Sequence, residues 1–188
     1  MKKSIFTRIL ALSLVFCLAL ALAACGGSAS SAAPSAPKDL VKILTESRDA
    51  EMNQYYEVVA KGENGLTLTE GYSAEMDDQF KADQAAAVLQ IMGLDPADTE
   101  DFALSISMMM TKSYGIAIVK PAEGRSEAVQ TALQNFIQAQ QAAQEFYLPD
   151  QYEIAKAAVL EQAADGTWVM VMSENASAES AAILEALK

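Results

Sequence analysis

Few side chains in this 188-residue sequence are equipped for chemistry, and their types limit what is open to it. Histidine is absent, which removes the commonest general base, the commonest transition-metal ligand and every Ser-His or Cys-His nucleophile pair. The two cysteines, Cys17 and Cys25, both lie near the N-terminus. Cys25 follows Leu22-Ala23-Ala24, a tract whose small side chains leave the backbone accessible beside a thiol that can become a thioether. Asp95, Asp98, Glu100 and Asp101 have the oxygen chemistry of a calcium site, but the glycine that an EF-hand loop requires at its sixth position is missing. We read them as helix-capping groups, and Glu75, Asp77 and Asp78 as the favourable negative start of a helix. Met108, Met109 and Met110, with Met170 and Met172, have thioethers suited to soft copper, yet Met108 and Met110 fall on the same strand face as Leu104 and Ile106, and the group is assigned to core packing. Trp168 is read as a hairpin core residue. Ser105, Ser107 and Ser113 lack a histidine partner and sit in no nucleophile-elbow motif. No catalytic, cofactor-binding or metal residue is nominated, and no cofactor is expected.

The segment around Cys25 has its own logic. Lys2, Lys3 and Arg8 precede an apolar run of 15 residues from Ile9 to Ala23, the pattern of a signal peptide. The run is shorter than the roughly 20 apolar residues that span a bilayer. Leu22-Ala23-Ala24-Cys25 resembles the bacterial lipobox at all four positions, which implies that Cys25 is lipidated and becomes the first mature residue. Residues 1–24 are therefore expected to be a lipoprotein signal peptide. The partner of Cys25 is then the membrane, reached through its acyl chains on the outer face of the cytoplasmic membrane. One chain binds marginally, but several, at about 0.8 kcal/mol per buried CH2, hold firmly.

Loss of Lys2, Lys3 and Arg8 with the signal leaves ten basic residues against 25 acidic ones, a formal charge of −15. Such a body repels nucleic acid and anionic lipid, so no nucleic-acid partner is expected and membrane residence depends on the anchor. With Cys17 removed and Cys25 acylated, the mature domain has no thiol left for a disulfide.

Residues 26–38 are Gly, Ser, Ala, Pro and one Lys, a flexible tether that with Cys25 forms the segment 25–38. Its 13 residues span roughly 20 Å on average. Residues 39–188 are expected to form a single acidic domain. Asp39 caps a first helix carrying Leu40, Ile43 and Leu44, while Met52 to Ala60 suits either a helix or the start of a strand before a Gly62–Gly65 turn. Spacing predicts a helix over Ala74–Met92 closed by Gly93, then a capped turn at Asp95-Pro96. Alternation predicts a strand from Phe102 to Met110, followed by an interior strand over Ile116–Val119. A long helix from Ser126 carries Val129, Leu133, Phe136, Ile137 and Tyr147 on its buried stripe and stops at Pro149. Strands over Ala157–Ala163 and Trp168–Ser173 meet at Asp165-Gly166, and a helix over Ser177–Leu187 buries Ile183, Leu184 and Leu187. The fold class is α+β, a mainly antiparallel four-stranded sheet in the order β-β-α-β-β-α with helices on one face, preceded by N-terminal helices.

The stretch from Gly93-Leu94-Asp95-Pro96 through Met108-Met109-Met110, Ile116 to Lys120 and Tyr147-Leu148-Pro149-Asp150-Gln151-Tyr152-Glu153 to the closing hairpin resembles a family of small lipoproteins of Gram-positive bacteria catalogued only as a domain of unknown function. The resemblance covers roughly residues 93–187 and implies location and fold, without catalytic residues. Three functions are therefore open. The first is a protein-interaction or accessory module engaging an unidentified envelope protein, and the second a small-ligand or peptide-binding lipoprotein. The third is a hydrolase working through carboxylates alone, for which no converging pair can be named.

Overall fold

The computed structural model describes residues 37–62, 65–69, 71 and 73–188. The expected signal peptide, Cys25 and the expected tether up to residue 36 lie outside the described residues. In helix α1 (Leu40–Glu46) the Asp39 carboxylate accepts the Lys42 N–H at 2.9 Å and Leu40 and Leu44 point inward. The ambiguous stretch that follows is both things in turn. It forms a four-residue helix α2 (Met52–Tyr55) and then strand β1 (Val59–Gly62), paired with β2 (Gly65–Leu68).

Helix α3 (Asp78–Met92) starts at an Asp77 cap that accepts the Phe80 N–H at 2.8 Å and ends on Gly93 at φ 67°. Its buried stripe is Ala85, Val88, Leu89 and Met92, whereas Met76, Phe80 and Ile91 stay exposed. Asp95 caps a 3-10 turn at Pro96–Asp98, and β3 (Thr99–Ile106) and β4 (Gly115–Pro121) then pair antiparallel. Helix α4 (Ser126–Gln144) is followed by α5 (Pro149–Lys156), β5 (Val159–Gln162), β6 (Trp168–Met172) and α6 (Ala176–Ala186).

The sheet has six strands in the order β2-β1-β3-β4-β6-β5, every neighbouring pair antiparallel. This corrects the four-strand expectation: the hairpin of β1 and β2, each only four residues long, extends the sheet beyond β3. Helices cover both faces, not one. Phe102, Leu104, Ala117, Val119, Met170 and Met172 pack beneath α3, α4 and α5. On the other face Ala103, Ile116, Ile118, Val169 and Val171 meet α1 and α6. Successive strand residues point to opposite faces, so a strand apolar at every position must be covered twice. The α+β class and the antiparallel pairing stand as read from the sequence.

Several boundaries differ from expectation: α3 starts at Asp78 and not Ala74, β5 at Val159 and not Ala157, and three further differences bear on the site. β3 leaves the sheet at Ile106, four residues before Met110. α4 ends at Gln144, leaving Tyr147 72% exposed. Pro149 does not simply stop a helix but opens α5 at its first turn, where its missing N–H has no intrahelical partner to lose.

Candidate functional site

Between α1 and α2 lies Arg48, 6% exposed, and it organises one end of the sheet. Its guanidinium donates to Asn53 Oδ1 at 2.7 Å, Ser105 Oγ at 2.8 Å, the Tyr114 hydroxyl at 2.7 Å and the Tyr56 carbonyl at 2.5 Å. Among the described residues no carboxylate lies within ion-pair distance of it. Neutral oxygens alone satisfy this buried cation. Burial pushes the Tyr114 hydroxyl up to about 12 despite the neighbouring guanidinium, so Tyr114 stays a neutral phenol at physiological pH. The Tyr114 ring stacks on Tyr56 with centroids 4.1 Å apart and planes 19° apart.

Tyr56 of this pair lines three recesses. A cleft of about 420 Å³ is walled by Tyr55, Tyr56, Leu68, Val88, Met108 and Met109, with Glu57 on its lining. A second recess of about 380 Å³ shares Tyr55, Tyr56 and Met109 and adds Met52, Asp49 and Glu51. The β3–β4 turn forms the outer wall. The Ser107 N–H reaches the Tyr114 carbonyl at 3.0 Å, Ser107 Oγ accepts the Met109 N–H at 3.1 Å, and the Gln144 amide donates to the Met110 carbonyl at 2.7 Å. A turn fixed in this way presents Met108, Met109 and Met110 at 47%, 58% and 89% exposure. The Gln144 bond also brings the turn to the end of α4, beyond which Phe146 and Tyr147 stand exposed.

A smaller polar recess of about 120 Å³ adjoins the second, sharing Asp49, Met52 and Tyr56 with it, and is lined further by Lys112, Ser113, Tyr114, Gln151, Ser173 and Glu179. The Ser113 N–H donates to Gln151 Oε1 at 2.9 Å, while the buried Ser113 Oγ has no partner among the described residues. Glu179 accepts the Ser173 hydroxyl at 2.5 Å. Burial raises its carboxyl above the usual range, an effect that the Ser173 hydrogen bond and Arg48 oppose.

The residues singled out from the sequence fall into separate places. Asp95 and Asp77 are caps, Asp98 pairs with Arg125 and Glu100 with Lys120 at 2.6 Å. Among the described residues no group of three or more His, Cys, Asp or Glu is arranged to hold a metal ion. Met170 and Met172 are buried as core, but the core assignment of Met108, Met109 and Met110 is overturned, because the chain turns out of the sheet before reaching them. Trp168 is a core residue whose indole N–H donates to Ser126 Oγ at 3.0 Å. Ser105 is a buried partner of Arg48, and Ser107 organises the methionine turn. Sequence reading missed Arg48, Tyr56, Tyr114 and Glu179; Arg48 meets Ser105 and Tyr114 only across 57 and 66 positions, while Glu179 bonds Ser173 six residues away. A faint signal was present in Thr111-Lys112-Ser113-Tyr114-Gly115, a polar, turn-prone interruption in an otherwise apolar run.

Fold and site together define an α+β domain with a six-stranded antiparallel sheet between two helical layers, recessed at the β3–β4 pole. The chain belongs to the family described as Domain of unknown function (DUF4358), which matches residues 72–173, more than half of its length. The match reaches back across α3, earlier than the resemblance at residue 93, and ends at Ser173, before α6. No curated protein and no solved structure matches the chain.

Proposed function

We propose that this protein is an extracytoplasmic lipoprotein, held on the outer face of the cytoplasmic membrane by acyl chains on Cys25, whose domain is an interaction module for another envelope protein. The observation that carries the interaction reading is the open apolar surface at the β3–β4 pole, where Met109, Met110 and Tyr55 are 58%, 89% and 66% exposed beside two recesses. Large side chains left in water on a packed domain mark a surface with a partner. The lipobox-like tract ending at Cys25 supports the anchoring. Among the described residues no helix is long and apolar enough to cross a membrane.

The test is crosslinking in living cells with a photoreactive residue at position 110, compared with one at exposed position 181 on α6. One dominant adduct from position 110 is expected, absent from position 181 and lost in Cys25→Ser. Equal labelling from both positions would refute the interaction reading. Separately, Cys25→Ser should abolish lipid labelling and release the domain from the membrane, and labelled, membrane-retained protein would refute the anchor. A second reading, a binder of small apolar ligands or peptides, is favoured by the cleft of about 420 Å³ and its aromatic wall. A ligand that reproducibly raises the melting temperature would favour it. No catalytic role is proposed.

A further inference from the structure

Resting on the interaction reading, we propose that the partner segment at the β3–β4 pole is a cationic amphipathic one, carrying Lys or Arg around neighbouring large apolar anchors. The two recesses share the ridge formed by Tyr55, Tyr56 and Met109, so adjacent anchors of one segment can seat on either side of it. Thioether and aromatic walls adapt to different anchors, because methionine is unbranched and polarisable.

The rim decides the sign of the partner. Asp49 and Glu51 line the second recess and Glu57 the first, and among the described residues no Lys or Arg lines either, Lys112 lining the adjoining polar recess instead. Asp49 and Glu51 are exposed and form no ion pair among the described residues, whose ion pairs all lie elsewhere. The whole chain carries a formal charge of −12, which adds long-range attraction for a cation. The same charges disfavour two other occupants. An anionic lipid surface is repelled, and a second copy docked symmetrically would set Asp49 and Glu51 against their own counterparts.

The experiment uses the acyl-free Cys25→Ser chain and three synthetic helical peptides about 15 residues long: Leu/Lys amphipathic, Leu/Glu amphipathic, and Ser/Lys with the same charge and no apolar face. Titration calorimetry gives affinity, and methionine methyl resonances report where the peptide sits. The Leu/Lys peptide is expected to bind with shifts at Met108 and Met109, and the other two at least about tenfold more weakly. The exposed pair Tyr55→Ser and Met109→Ser should weaken binding about tenfold. Asp49→Asn with Glu51→Gln should weaken it about threefold and flatten its salt dependence, while Glu123→Gln with Glu127→Gln, distant exposed acids, should leave it nearly unchanged. Equal loss in both acid pairs, or tight binding of the Ser/Lys peptide, overturns the proposal by showing diffuse attraction to the charged body. Binding of the Leu/Glu peptide with the same methyl shifts overturns it while leaving the interaction reading in place. No methyl shift with any amphipathic peptide also overturns it, and the interaction reading then stands or falls on the adduct from position 110.

Discussion

Arg48 is a cation enclosed by neutral oxygens, and its hydrogen bonds tie together segments that are distant in sequence: α2 through Asn53, β3 through Ser105 and the start of β4 through Tyr114. Removing the guanidinium strands several buried acceptors, and a buried polar group without a partner costs about 1–3 kcal/mol. Arg48→Met is therefore expected to destabilise the domain by about 3 kcal/mol in urea unfolding, with loss of the Tyr56–Tyr114 stack. Arg48→Lys should recover little, since an ammonium lacks the planar fork that reaches four oxygens at once. A loss below about 1 kcal/mol for Arg48→Met would show that the neighbouring groups find other partners. Because Tyr56 walls all three recesses at the pole, the same substitution should also weaken whatever binds there.

At the scale of elements, several ends are set by single residues. Gly93 closes α3 at φ 67°, and a Cβ added there meets nothing within 4 Å. Gly93→Ala thus isolates the conformational penalty from any clash, about 1 kcal/mol, a fall of roughly 2–4 °C in Tm. An unchanged Tm would mean that α3 tolerates the strain by ending a residue earlier. Such local signals were legible in the sequence: the Asp39 cap, Asp95-Pro96, the all-apolar Ile116–Val119 and the Asp165-Gly166 turn each act within a few residues. Alternation failed at Met108 to Met110 because it continues whether or not a neighbouring strand is present. Pairing in β3 ends at Ile106, and the Ser107 hydroxyl then turns the backbone away. Pro149 was half legible, since proline can end one helix and open the next. The site itself was largely hidden. Arg48 and Tyr114 are 66 positions apart and nothing local joins them.

Over the whole molecule, the sheet gives the domain two distinct ends. The β3–β4 turn with its methionines is at one, and the β5–β6 hairpin at Asp165, beside the Pro121 end of β4, is at the other. Lys38 lies at the hairpin end, 3.3 Å from Asp165, and its ammonium also contacts the Leu187 carbonyl. With a rise of about 3.3 Å per residue, the seven residues of β4 alone separate the two poles by roughly 20 Å. A partner seated on the methionine turn thus leaves the hairpin end unencumbered. The contact between Lys38 and Leu187 also means that the two ends of the domain are neighbours in space, so a few residues suffice to bridge them. A circular permutant that joins Lys188 to Lys38 through a short Gly-Ser bridge and opens between Glu123 and Gly124, both exposed in the β4–α4 connection, should unfold in one cooperative transition and keep its methionine pole. Failure of that permutant to fold, with the unopened chain as control, would reveal that the β4–α4 connection is needed for assembly and not only for linkage.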